Sequence, residues 1–432
     1  MAAFMGLRTT ADWATDQRPL SWREGILLLF PNGSAPLYAL TSISRSEKVD
    51  DPQYHWWTKA LQRQGGSFTV TEIYTDVAMG TKLATAGTSG QTLYVKVAEA
   101  IADDFRVGHL ALLRDASDLT EDVIAKVTGV TANGASSRIT VKLLEADDNS
   151  SHSHDLRDAD TILVAGNLNP EFGERPSSIH YDPVKQTNYT QIWRTALDLS
   201  RTALKTNLRT GDAYQEEKRE TLELHSLEIE KNLMWGIATE NIGANGKKER
   251  TTAGLVSMIR ANASSNVFDF VSDTDFSGQS WIQGGDLFFD KVYETLFRYG
   301  DGEKLAFCGS AAMKGIAQLA RSIGQINLTT RTTEFGMKIT EWLTPYGVVN
   351  LKLHPLMSQE TTLRDAMIVF EPRRIRFRFI DDTMFKEDTR MNEGGDTGLD
   401  GRQEEYLTEG GLEYHHYETA GFLTGVSKAN TA

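Results

Sequence analysis

At 432 residues, with 40% hydrophobic and 24% charged side chains, the chain has the balance of a folded soluble protein. Its length suits two or three lobes, or one domain carrying a large insertion. A net charge of −14 argues against a protein whose main work is gripping phosphates, and the single cysteine, Cys308, excludes an intrachain disulfide. The longest apolar run, Gly25 to Phe30, is far too short to cross a bilayer, and the opening residues lack the basic start and apolar core of a secretory leader.

Residues 1–62 read as an arm. Pro19, Pro31, Pro36 and Pro52 break it, and between them lie the sticky pieces "WREGILLLF" and "APLYALTSI", followed by "YHWWTKAL". Such a segment closes no core of its own, so Trp22, Leu28, Phe30, Trp56 and Trp57 are expected to pack on a neighbouring surface. From about 68 to 165 the chain reads as β: "SFTVTEIYTDV", "QTLYVKV", "HLALLRD", "DVIAKVTGV", "SRITVKLL" and "DTILVAG" are short Val/Ile/Thr/Leu-rich runs separated by Gly, Asn, Asp and Ser. Strands at this spacing predict a small antiparallel barrel or sandwich.

The period then turns helical. "YTQIWRTALDLSRTAL" carries Ile192, Ala196, Leu199 and Ala203 at spacings of 4, 3 and 4, which predicts a helix. Gly211 ends it, and Asp212 with Gln215 suggests the cap of a second, long helix over about 212–240. Leu222, Ile229, Leu233 and Ile237, spaced 7, 4 and 4, form its apolar stripe. "ANGKKERTTAG" reads as a loop. A helix capped by Asp286 and closed by Gly300, the buried strand "KLAFCG", a helix from Ser310 and a hairpin turning at Pro345-Tyr346-Gly347 make a mixed α/β lobe. The chain ends in the strands "AMIVF" and "RIRFRF", a polar loop, and a last strand pair in "RQEEYLT" and "GLEYHHYETAGFLTGV".

No standard catalytic pattern is present: there is no Gly-x-Ser-x-Gly elbow, no phosphate-binding loop and no His-Glu-x-x-His. Lys247, Lys248 and Arg250 read as a solvated loop. His152, His154, Asp155, Asp158 and Asp160 read as a polar loop rather than a metal site, and the adjacent His415 and His416 would point to opposite strand faces. Cys308 has no identifiable base and reads as a small buried strand-end residue. Neither a cofactor nor a metal is expected.

The order of elements resembles the major capsid protein of tailed double-stranded-DNA phages, the Hong-Kong-ninety-seven fold. The segments "PNGSAPLYALTSI", "QYHWWTKAL", "TNYTQIWRTALDLSRTAL", "GDAYQEEKRETLELHSLEIEKNLMWG", "TTAGLVSMI" and "TEFGMKITEWLTPYGVVNLKLHPLM" carry the likeness, with Thr333 near a position where that family often has tyrosine. The resemblance implies an α+β fold: arm at 1–62, an extended loop at 63–187 carrying an inserted β domain at about 80–168, and a peripheral helical segment at 188–262 with the spine helix. An axial α/β domain would follow at 263–370, and the strands of 371–432 would return to the peripheral domain and end at the axial domain. It implies a structural subunit without catalysis that assembles into hexamers and pentamers of an icosahedral head. The expected partners are further copies of itself, portal, scaffolding and decoration proteins, and enclosed DNA held by weak contacts only. A membrane role is not implied, and the expected location is the virion, assembled in the host cytoplasm. The alternatives are a carbohydrate- or polymer-active enzyme with a β accessory domain, or another phage component such as a decoration or tail protein.

On that reading Arg374, Arg376 and Arg378, alternating with Ile375, Phe377 and Phe379, form the charged face of a strand whose other face is core. The expected partners are Glu404, Glu405, Glu409 and Glu413 across the strands, or carboxylates of a neighbouring subunit.

Overall fold

The computed structural model of the chain describes residues 35–43, 46–59, 66–84, 87–115, 122–146, 156–157, 159–173, 175–205, 213–323, 328–332, 338–388 and 400–431. Trp22, Leu28, Phe30, His152, His154, Asp155, Asp158, Asp212 and Thr333 lie outside the described residues. Two compact units emerge, one from Met1–Thr58 with Lys185–Ala432 and one from Lys59–Val184. No described helix is long and apolar enough to cross a membrane.

The larger unit begins with α1 (Pro36–Ile43), β1 (Ser46–Lys48) and β2 (Gln53–Thr58). The chain then enters the smaller unit through β3 (Ser67–Thr69), β4 (Glu72–Tyr74), β5 (Thr92–Lys96) and a single helical turn, α2 (Glu99–Ala102). β6 (His109–Arg114), β7 (Asp122–Thr131), β8 (Arg138–Leu143) and β9 (Thr161–Asn167) complete it. These strands form one sheet in the order β3-β9-β6-β7-β8-β5-β4, antiparallel throughout. The outermost strands are consecutive in sequence: the Val70 amide donates to the Asp160 carbonyl (2.7 Å) and the Thr71 amide to the Lys96 carbonyl (2.9 Å). One segment, 67–74, therefore pairs on both sides and closes the sheet into a barrel, which leaves no free edge. Period-two alternation puts Leu93, Val95, Ala111, Leu113, Val127, Ile139, Val141 and Ile162 inside, all at most 1% exposed.

The larger unit resumes with β10 (Val184–Tyr189) and β11 (Gln191–Ser200), where the spacing of apolar residues predicted a helix. Here the strand period wins. Trp193 and Leu197 are buried, whereas Ile192, which the helical reading placed on the apolar stripe, is 57% exposed. β-branched Thr190, Ile192 and Thr195 favour extended backbone, and a long partner strand supplies the hydrogen bonds. Only α3 (Arg201–Lys205) is helical there.

α4 (Ala213–Trp235) is the long helix. Its stripe of Leu222, Ile229 and Leu233 is buried, but Ile237 lies past the helix end and is 66% exposed. The helix stops because Gly236 and Gly254 pack backbone to backbone. A Cβ on Gly236 would sit 2.4 Å from the Thr252 carbonyl oxygen, and the Gly254 amide donates to the Gly236 carbonyl at 2.8 Å. The expected loop after it is partly a hairpin, β12 (Thr239–Ile242) with β13 (Lys248–Thr251), because Lys248 and Arg250 both pair with Glu240, each at 2.7 Å.

Next come α5 (Leu255–Asn262), β14 (Val267–Asp269) and α6 (Trp281–Phe297). α6 starts five residues before the expected Asp286 cap. Gln283 Oε1 accepts from the Ser280 amide (3.1 Å) and hydroxyl (2.9 Å), a capping box that overrides the two glycines of the first turns. β15 (Glu303–Cys308), α7 (Ser310–Ile323), β16 (Leu328–Thr332), β17 (Lys338–Thr344), β18 (Gly347–Leu353), α8 (Pro355–Gln359) and β19 (Met367–Phe370) follow. The chain closes with β20 (Ile375–Lys386), β21 (Gly401–Tyr414) and β22 (Gly421–Thr424). The expected final pair is one 14-residue strand, β21, that runs straight through Gly410-Gly411.

Two sheets organise this unit. A mixed sheet, β14-β22-β19-β15-β18-β17-β16, carries α6 and α7, with Phe288, Phe289, Val292, Ile316 and Leu319 packed against Trp342, Val349 and Leu351. A four-stranded sheet, β1-β20-β21-β11, packs Trp193, Phe377, Tyr406, Leu412 and Tyr414 against the α4 stripe.

Candidate functional site

β20 and β21 frame the site. Ile375 and Phe377 point into the core, 1% and 0% exposed, and Phe379 packs partly against it. Alternation then sends Arg376 and Arg378 to the opposite face, where β21 presents Glu413 across from Arg376 and Gly411 across from Arg378. On the other side β1 runs parallel to β20 and sets Glu47 beside Arg378. Arg378 bridges Glu47 through Nη1 and Glu413 through Nε, and Arg376 Nη1 reaches Glu47 at 3.3 Å. His415 Nε2 contacts the other Glu413 oxygen. Burial alone would raise the Glu413 carboxyl, but the bonds from His415 and Arg378 outweigh it and hold it below the usual carboxylate range.

Arg374 is not in this row. It closes a short turn, Pro372–Arg374, and its Nε meets Glu371 at 3.2 Å. Of the four expected glutamates only Glu413 meets the arginines. Glu404 accepts from the Tyr214 hydroxyl (2.6 Å), Glu405 from Arg194 Nε (2.8 Å), and Glu409 from the Thr190 hydroxyl (3.3 Å). In register they face the far end of β20 instead, Glu409 across from Asp381 and Glu405 across from Lys386. Reasoning from sequence missed Glu47, because a three-residue strand reading Ser-Glu-Lys carries no pattern.

The ribbon of β2 and β10 covers the outer face of β21. The Tyr54 hydroxyl donates to the Leu412 carbonyl (2.7 Å), and Asn188 Nδ2 donates to the same oxygen (2.8 Å). Tyr54 stacks on Trp56 with ring centroids 5.9 Å apart; Trp56 is buried and Trp57 is 61% exposed. Gly411 permits this approach, because a Cβ there would lie 2.5 Å from the Tyr54 hydroxyl, 2.7 Å from the Tyr189 carbonyl and 2.9 Å from the Thr252 hydroxyl. Gly411→Ala is therefore expected to cost about 1–3 kcal/mol, read as a lower denaturant midpoint at unchanged slope.

Among the described residues no group of three or more His, Cys, Asp or Glu could hold a metal. Cys308 is fully buried, and burial pushes its thiol well above the ordinary range. The site offers a row of forked cations clamped by carboxylates from two flanking strands, which fixes the register of three strands.

The model of the SU10 major capsid protein family matches residues 7–427. The major capsid protein of Pseudomonas phage PaMx41 is 24% identical over 442 residues, covering 99% of this chain and 97% of that protein. Among solved structures, Mycobacterium phage Adephagia gives 8% identity over 89% of each chain with a TM-score of 0.38. The capsid of Myoviridae phage XM1 gives 12% over 70% of this chain and 83% of that one, with a TM-score of 0.33.

Proposed function

Because this chain belongs to the SU10 major capsid protein family, we propose that it closes into hexamers and pentamers of an icosahedral head around double-stranded DNA. It is the major capsid protein of a phage, a structural subunit of the virion shell. The observation that carries the reading is the family match over nearly the whole chain, 7–427. The net charge of −14 supports it, because a shell wall must enclose DNA without gripping it.

In this reading the barrel unit is the insertion of an extended loop, the four-stranded sheet with α4 is the peripheral domain, and the mixed sheet with α6 and α7 is the axial domain. The subunit performs no catalytic step. Portal, scaffolding and decoration proteins are its further partners, and assembly takes place in the host cytoplasm. Electron microscopy of the purified protein tests the core of it: closed shells or capsomers are expected, and uniform small particles under every assembly condition would overturn it.

The arginine row then divides by exposure. Arg378 is satisfied within the chain, whereas Arg376 keeps 30% of its side chain exposed and makes one long contact, with Glu47. Arg376 is the member free to reach a neighbouring subunit. Arg376→Glu is expected to reduce shell yield at least tenfold while costing the subunit about 1–2 kcal/mol, because the new carboxylate faces Glu413 across the strands and Glu47 beside it. Normal shells at normal yield would refute that role.

A further inference from the structure

Glu230 is a charged residue of α4 with no exposed surface, and the charge seam does not use it. Its Oε1 accepts from the Leu37 amide at 2.9 Å and from His354 Nε2 at 2.7 Å, and its Oε2 accepts from the Tyr38 amide at 2.7 Å. Leu37 and Tyr38 open α1, and Pro36 before them has no N–H to offer. First-turn amides have no partner within their own helix, so a carboxylate facing them satisfies both donors and the positive end of the helix. His354 Nδ1 accepts from the Met357 amide at 3.4 Å, which leaves Nε2 as the protonated nitrogen.

A second polar connection holds the same helix. The Tyr38 hydroxyl meets the Thr383 hydroxyl at 2.6 Å, Thr383 meets Thr408 at 2.9 Å, and Thr408 meets His225 Nε2 at 2.8 Å. His225 Nδ1 continues to the Thr195 hydroxyl at 2.9 Å, and Thr195 to Glu228 at 3.2 Å. A polar chain, buried from Tyr38 to His225, thus ties α1 to β20, β21, α4 and β11.

We infer that Glu230 and the Tyr38–Thr383 contact form a two-point polar latch that positions the arm segment on the long helix, with Glu230 as the positioning residue. Three donors converge on Glu230, so the site demands a group that only accepts. Glutamine has the same shape but must turn an NH2 group toward at least one donor, and an unmet buried donor is costly. A merely apolar dock would be indifferent to that change.

The test is hydrogen exchange on the full-length subunit before assembly, with shell yield as a second readout. In Glu230→Gln, amides of 37–43 are expected to exchange at least tenfold faster, while those of α4 beyond the first turn and of β20 and β21 keep their protection. His354→Gln, which retains a donor toward Glu230, is expected to stay within threefold of the natural chain. Unchanged exchange at 37–43 in Glu230→Gln overturns the latch. If that variant yields no folded protein, Tyr38→Phe decides, because it keeps the ring against Phe377 and removes only the hydroxyl. Faster exchange at 37–43 supports the latch, and unchanged exchange overturns it.

Shell yield is expected to fall at least tenfold with the exchange change; full yield with a released arm overturns the positioning role. That second readout rests on the capsid reading. If the natural chain forms no shells, the capsid reading fails while the exchange result still decides the latch.

Discussion

Replacing Arg378 by alanine is expected to lower the unfolding free energy of the unassembled subunit by about 3 kcal/mol. Glu413 is 1% exposed and Arg378 16%, so the pair is shielded from water and the discount for surface ion pairs does not apply. Removing the arginine strands a buried carboxylate. The His415 contact persists and keeps the loss at the low end of what breaking a buried pair costs. It also frees Glu47, and with it the fastening of β1 to β20. Glu413→Gln added to Arg378→Ala removes the stranded charge and is expected to recover about 1–2 kcal/mol, a coupling that a double-mutant cycle reads directly. Chemical denaturation of the four proteins at pH 7.5 measures it. Equal stability of Arg378→Ala and the natural chain would show that the clamp is ornamental. Arg378→Lys is expected to fall between them, because a point charge cannot fork onto two carboxylates.

Acid is expected to weaken the subunit through His225. Burial holds this imidazole at about 4, against an ordinary value near 6.5. The unfolded chain therefore takes up a proton below about pH 6.5 that the folded chain refuses until about pH 4. The associated stability is fully present above pH 6.5, declines as pH falls through that window, and is gone below pH 4. Over the whole window it amounts to about 3 kcal/mol, of which about 2–3 is lost between pH 7.5 and 4.5. His225→Gln does not titrate, so it is expected to be less stable than the natural chain at pH 7.5 and to lose correspondingly less on acidification. Parallel loss in the two proteins would place the acid sensitivity elsewhere. Glu413 works on lower ground: its depressed carboxyl contributes stability that is lost only as pH falls below the ordinary carboxylate range.

Elements decided by local pattern were legible in the sequence. The barrel strands announce themselves by strict alternation, as in Leu93 and Val95 or Ile139 and Val141, and the α4 stripe by Leu222, Ile229 and Leu233. Elements decided by a distant partner were not. Between 191 and 200 a helical set, Ile192, Ala196 and Leu199, competes with an alternating set, Trp193, Thr195, Leu197 and Leu199. The arbiter is β21, paired from Gly401 to Gly410. The same division runs through the site. Arg376 and Arg378 stand out because alternation is local, but their carboxylates are chosen by register. Glu413 lies in register, Glu404, Glu405 and Glu409 do not, and Glu47 arrives from the other end of the chain.

The larger unit is assembled from the two ends of the polypeptide, with the closed barrel between them, and this has a consequence for synthesis. Arg378 and Glu47 are separated by 331 positions. The barrel can complete its pairing as soon as residue 167 has emerged. β1 must wait until β20 has left the ribosome, because that strand supplies its ladder partners, whereas Glu230 for α1 and β10 for β2 are made earlier. A chain cut short before residue 375 thus carries a finished barrel, while β1 has no strand to pair with and Glu47 no arginine. The order of synthesis therefore separates the two units in time, with the barrel closing first and the Glu47–Arg378 contact forming only after β20 is made.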